Sequence, residues 1–177
     1  MNTEYEVKIL DIDTNAIREA LAAQGFLELP VKNFRRYIYT LKNDRNSWIR
    51  LRTDGSKTTL TLKKYISDAI DGVKELEIIV SDFEKTSELL AEAGYQHQSY
   101  QENRRTSFES KDQVIEICID EWPKIPPYLE IEGKSIDEVH QYIDMLKLGK
   151  QAQTSAPTSE VYKHYGLDLG NFKTLAF

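Results

Sequence analysis

Cysteine is nearly missing from this sequence: Cys118 is the only one among 177 residues. One thiol cannot close an internal disulfide, so folding does not depend on an oxidising compartment, and a small buried thiol is the expectation. Long apolar runs are missing too. Nothing approaches the roughly 18 residues of a membrane-spanning helix, and the N-terminal stretch has no signal-peptide apolar core. The expectation is therefore a cytoplasmic protein without a membrane partner. Neither a nucleophile elbow nor a glycine-rich phosphate loop is present. The histidines His97, His140 and His164 share no metal-ligand spacing with one another or with Cys118. Excess positive charge is also lacking, since 23 Lys and Arg against 29 Asp and Glu leave a net charge of −6. That balance argues against a general nucleic-acid coat without excluding a local basic pocket.

What the sequence does contain is charge placed at a period of two. In Glu4-Tyr5-Glu6-Val7-Lys8 the three charged residues fall on one face of a strand and the apolar ones on the other. The pattern recurs with both signs. Glu75 and Glu77 flank Leu76, Glu130 and Glu132 flank Ile131, and Glu116 and Asp120 alternate with isoleucines. On the basic side, Arg50 and Arg52 flank Leu51, Lys63 follows Thr59 and Thr61 on one face, and Arg105 opens another strand.

The remaining signals divide the chain into strands and helices within one domain, since 177 residues suit one core better than two. Strands are predicted near 3–10, 34–41, 47–53, 58–66, 73–80, 103–110, 113–121 and 128–132. Asp54-Gly55 reads as a two-residue hairpin and Lys111-Asp112 as another turn, while the loop from Ser67 reads as long and mobile. Helices are predicted from Asn15 to Gln24, after a capping box at Ser81-Asp82-Phe83-Glu84, and after another at Ser135-Ile136-Asp137-Glu138. In the last helix Ile136, Val139, Ile143 and Leu146 form an apolar stripe. A Glu-x-Glu strand followed by a helix, glycine and an aromatic occurs at Glu4 to Phe26 and again at Glu75 to Tyr95, with a partial copy from Glu130. This repeat is either coincidence among βα units or a duplicated half-barrel whose strands close on one another.

If helices cover the apolar strand faces, the charged faces point to bulk water or into a closed interior. Buried charges cost several kcal/mol each unless paired or coordinated. An interior set of Glu4, Glu6, Glu75, Glu77, Glu116, Asp120, Glu130 and Glu132 would oppose Lys8, Arg50, Arg52, Lys63 and Arg105. Such a pairing of signs suits a hard divalent cation held by carboxylates and a phosphate chain held by Arg and Lys.

The order of these segments resembles the CYTH superfamily, also called the triphosphate tunnel metalloenzymes. The matching residues are Glu4-x-Glu6-x-Lys8, Arg50-x-Arg52, Lys63, Glu75-x-Glu77, Arg104-Arg105, Ile119-Asp120-Glu121 and Glu130-x-Glu132, across about residues 3–165. The resemblance implies an α+β fold, a closed eight-stranded antiparallel β-barrel with helices packed outside. The barrel would occupy 1–148, with a linker, short helix and tail over 149–177 completing the same domain. It also implies chemistry on a triphosphate, dependent on Mg2+ or Mn2+. Glu4, Glu6, Glu130 and Glu132 would hold the metal, with Asp120 and Glu77 as further acids. Lys8, Arg50, Arg52, Lys63, Arg105 and Arg104 would bind the substrate. Glu4, Glu6 and Lys8 would serve the reaction itself, Lys8 by positioning or deprotonating the nucleophile.

The nucleophile stays open. Attack by water would make the protein a phosphohydrolase acting on tripolyphosphate, thiamine triphosphate or a nucleoside triphosphate. Attack by a ribose hydroxyl would make it a class IV adenylyl cyclase, and a non-catalytic polyphosphate or nucleotide binder is the third reading. A homodimer is compatible with all three. Arg35 and Arg36 depart from the family pattern, as either solvent-facing charges or additional phosphate ligands. Trp122 to Pro127 would shape a tunnel mouth or staple the barrel end. Tyr162 and Tyr165 would pack or close the tunnel.

Overall fold

The structure is a computed structural model that describes residues 1–110 and 115–177. In chain order its elements are β1 (Asn2–Ile9), α1 (Thr14–Ala23), β2 (Leu27–Glu28), β3 (Lys32–Leu41), β4 (Asp44–Thr53), β5 (Thr58–Tyr65) and β6 (Val73–Val80). There follow α2 (Phe83–Glu92), β7 (Ser99–Glu109), β8 (Glu116–Glu121), β9 (Tyr128–Gly133), α3 (Ile136–Met145), β10 (Gln153–Thr154), α4 (Thr158–His164) and β11 (Thr174–Leu175). The expected Lys111-Asp112 turn lies outside the described residues.

Eight long antiparallel strands close into a ring in the order β1-β6-β5-β4-β3-β7-β8-β9, with β9 returning to β1. Closure leaves none of the eight as a free edge. Exchanging β1 with β6, β3 with β7, β4 with β8 and β5 with β9 leaves the ring order unchanged. The helices α1 and α2 follow equivalent strands under that exchange. The ring thus has the symmetry that a duplicated half-barrel requires.

The apolar faces turn outward, and helices cover much of them. Ile17 and Leu21 of α1 and Val139, Tyr142 and Ile143 of α3 pack with Val7, Ile9, Ile117, Ile119, Leu129 and Ile131 outside β1, β8 and β9. Phe83 and Leu90 of α2 pack on Tyr39 and Leu51 outside β3 and β4. The coat is incomplete: Leu76 and Ile78 on the outer face of β6 are both 53% exposed. No helix among the described residues is long and apolar enough to cross a membrane.

Several local expectations change. The β4–β5 connection has four residues, because Thr53 pairs with Thr58 and the Asp54 carboxylate accepts the N–H groups of Ser56 and Lys57 at 2.9 and 2.7 Å. Asp82 rather than Ser81 caps α2, accepting from the Lys85 N–H at 2.8 Å. Ser135 does cap α3, but Ile136 is 37% exposed and lies off the buried stripe. The loop after β5 is tied down: the Gly72 carbonyl accepts from Ile66 at 2.7 Å, and the Ile70 carbonyl accepts the Glu6 N–H at 3.1 Å. A Cβ at Gly72 would lie 1.9 Å from the Ser67 carbonyl oxygen, so only glycine fits. The segment after Gly149 is not a free linker. β10 pairs with β1 through Lys8↔Thr154, and Ser155 and Ala156 are buried.

Candidate active site

Side-chain alternation sends the charged residues of the two-residue pattern inward. They line one cavity of about 790 Å3. The three strands carrying Glu-x-Glu pairs, β9, β1 and β6, are neighbours, so their acids gather on one wall. Register completes the grouping. Glu6 stands opposite Glu132, Lys8 opposite Glu130, and Glu116 opposite Glu132 from the other side. Carboxylate oxygens of Glu4, Glu6 and Glu132 lie within 4.8 Å of one another. Four strands around the ring, β3 and β4 face β1 and β9 with Arg36, Arg50 and Arg52.

Electrostatics divides the expected metal ligands into two groups. Glu4, Glu6 and Glu132 crowd together, and burial raises the pKa of all three. Glu132 is pushed up to about 8, by burial first and then by the charges of Glu6 and Glu130. Glu130 and Asp120 are instead claimed by Arg105. Its Nε and Nη2 donate to the two Asp120 oxygens at 2.7 Å each, and Nη2 also donates to Glu130 at 2.6 Å. Burial favours the neutral form of Glu130, but Arg105 and Lys8 outweigh it and bring the carboxyl down to about 2. Glu77 joins the basic side, accepting from the Thr61 hydroxyl at 2.7 Å and lying 3.5 Å from Arg50. Of the acids expected to serve a metal, Glu4, Glu6 and Glu132 are the three whose carboxylate oxygens meet at one point.

Among the cations, Lys63 Nζ donates to Glu4 at 2.6 Å and lies 3.5 Å from Glu75. Lys8 donates to Glu6. Desolvation disfavours its charge, yet Glu6 and Glu130 more than compensate and raise its pKa. Lys8 consequently holds its proton at neutral pH, which suits a fixed positive charge rather than a base. Arg104 is a correction. It lies between Asn103 and Arg105 but on the opposite face of β7, is exposed, and stands 4.1 Å from the Phe177 ring, away from the cavity.

Two residues that sequence reasoning left undecided separate by the same parity. Arg35 points outward to Glu84 at 2.6 Å, whereas Arg36 points into the cavity and is only 7% exposed. The signal was present in Tyr37, which stacks on Phe83 of α2, and Tyr39, whose hydroxyl donates to Ser87, so that both fix the outer face of β3. Trp122 was read only as part of a rigid segment. It lines the cavity and carries the Arg36 guanidinium 4.6 Å above its ring. Tyr162 packs in the core, its hydroxyl donating to the Pro123 carbonyl at 2.7 Å, and Tyr165 donates to Asp11 at 3.0 Å. Cys118 is buried as expected.

Solved structures share this architecture. PH1012 from Pyrococcus horikoshii OT3 is 21% identical with a TM-score of 0.67, covering 83% of this chain and 92% of its own. PH1819 from the same organism is 19% identical with a TM-score of 0.68, over 92% and 99%. HpAC1 from Hippeastrum, a candidate adenylyl cyclase described with a dominant triphosphatase activity, is 14% identical with a TM-score of 0.59, over 97% and 100%. At these identities the likeness establishes the fold. No curated protein matches the chain. The family model for the CYTH domain matches residues 2–160, and with the closed ring and its charged interior this places the chain in the CYTH family.

Proposed function

We propose that the tunnel is the active site of a divalent-metal-dependent phosphohydrolase acting on a triphosphate. The observation that carries this reading is one cavity with two walls of opposite sign: Glu4, Glu6 and Glu132 on one side, Arg50 and Arg52 on the other. A cluster of three carboxylates offers the oxygen donors that Mg2+ or Mn2+ takes. A bound divalent ion would supply Lewis-acid polarisation of phosphoryl oxygens. Glu4, Glu6 and Glu132 would hold it, and each must give up any proton to do so. Arg50, Arg52, Lys63 and Arg105 would bind and orient the phosphate chain, and their fixed charges would stabilise negative charge developing on it. Lys8, with its proton kept at Nζ, would neutralise charge beside Glu6. The Arg105 hydrogen bonds hold Asp120 and Glu130 in place, so these two acids would set the position of Arg105 rather than add ligands.

Purified protein with Mg2+ or Mn2+ and a panel of tripolyphosphate, thiamine triphosphate and ATP tests the reading. Orthophosphate release that disappears with EDTA is expected. Pyrophosphate together with cyclic AMP from ATP would show cyclisation instead, and no turnover of any of them would leave a binding protein.

A further inference from the structure

Four of the cations that line the tunnel already have a carboxylate. Lys8 has Glu6, Lys63 has Glu4 and Glu75, Arg50 has Glu77, and Arg105 has Asp120 and Glu130. Two arginines stand apart, Arg36 buried and Arg52 half-buried. Among the described residues, Arg36 and Arg52 have no carboxylate partner within ion-pair distance. They are also directly opposite each other in the β3–β4 ladder. Each guanidinium is braced by an aromatic ring, Arg36 at 4.6 Å over Trp122 and Arg52 at 4.9 Å over Phe34. Of the Arg36 nitrogens, Nη2 donates to Asn103 Oδ1, while Nε is buried without a partner.

Two like charges held side by side out of water are costly unless an anion joins them. No described residue supplies one within ion-pair distance, and stacking on aromatic faces leaves the guanidinium edges free to donate. The pair also extends the basic wall. Arg50 and Arg52 are two residues apart on β4, a separation of about 6.8 Å along the strand. Arg36 continues the row onto the next strand, about 4.8 Å further across the sheet.

We propose that Arg36, paired with Arg52, forms an additional anion position at the end of the phosphate-binding row, so that the tunnel prefers linear phosphate chains of four or more units over triphosphate. The inference rests on the phosphate reading above and adds to it a chain-length preference set by a residue outside the matched motifs. Arg36 acts here as a specificity residue through direct contact with the terminal phosphoryl group.

Isothermal titration of the protein with tripolyphosphate and with tetrapolyphosphate, in EDTA and at low temperature in Mg2+, tests this. The longer chain should bind about ten-fold more tightly, the equivalent of one charge-assisted hydrogen-bonding position. Arg36→Gln, which removes the charge, should lose about ten-fold on tetrapolyphosphate and no more than about three-fold on tripolyphosphate. Arg36→Lys should keep part of the preference. Equal affinity of the wild-type protein for both chains overturns the proposal without any variant, as does an equal loss on both chains in folded Arg36→Gln. Absence of binding by either chain in both conditions would instead overturn the phosphate reading itself, and this proposal with it.

Discussion

Glu6 on β1 and Glu132 on β9 face each other directly in an antiparallel ladder, both turned into the tunnel. Like charges so placed destabilise a sheet unless one takes a proton or a cation intervenes. Glu4, reaching the same point from two residues away, sharpens the conflict. The acidic cluster is thus built at a cost to the metal-free protein, and this cost makes its behaviour measurable.

Stability of the metal-free protein should fall as the pH rises from about 5 to 8. Glu132 shifts from an ordinary 4.5 up to about 8 in the fold, and Glu4 and Glu6 shift in the same direction. Across that window the folded state binds more protons than the unfolded chain, so raising the pH favours unfolding. Glu130, brought down to about 2, has the opposite sign, and its contribution is lost below pH 4.5. Thermal unfolding in EDTA at pH 5.5 and 8.5 should show a lower midpoint at the higher pH, and Glu132→Gln should flatten the difference. A midpoint that rises with pH would contradict the crowding.

Loss of Arg105 should be severe. Arg105→Met strands two buried carboxylates, Asp120 and Glu130, that depend on it. Removing one member of a buried ionic group costs about 3–5 kcal/mol, and at ~2–4 °C per kcal/mol the midpoint should drop by roughly 10 °C. Adding Asp120→Asn to Arg105→Met should recover part of that drop. Additive losses in the double variant would mean the three groups are not one network.

Arg52→Ala should weaken tripolyphosphate binding by about ten-fold or more, and orthophosphate binding much less, because only the longer anion spans the basic wall. Competition titrations with the two anions provide the comparison. Equal losses would reduce Arg52 to a general contributor to the local potential.

Metal and tripolyphosphate should stabilise the protein cooperatively. A ligand at about 100 times its dissociation constant adds ~2.7 kcal/mol by mass action, or several degrees for a chain of this size. On the proposed reading Mg2+ would relieve the acidic wall while tripolyphosphate would satisfy the basic wall and supply further oxygen donors. The shift with both should exceed the sum of the shifts with each. Merely additive melting shifts would argue for separate sites.

Alternation alone determined much of this protein. A charged or hydroxyl residue at every second position, in strands whose other face is largely Ile, Leu, Val or Tyr, already places Glu4, Glu6, Lys8, Arg50, Arg52 and Lys63 on polar strand faces. Strand geometry has a period of two regardless of what surrounds it. The capping residue of α3 and the helix-covered faces of β1, β8 and β9 were legible for the same local reasons. Tertiary structure decided what alternation does not encode, namely which strands become neighbours and in what register. Ring closure brings β9 beside β1 and puts Glu132 with Glu6, whereas Arg105 from β7 reaches Asp120 and Glu130 and withdraws them from the acidic cluster. Parity on β3 was ambiguous from the run Arg35-Arg36 alone, because either arginine could face water. Packing of Tyr37 and Tyr39 against α2 resolved it, and buried Arg36 against Trp122, some 86 positions away in the chain. Contacts between residues so distant depend on how the whole ring closes, and no local period carries that information.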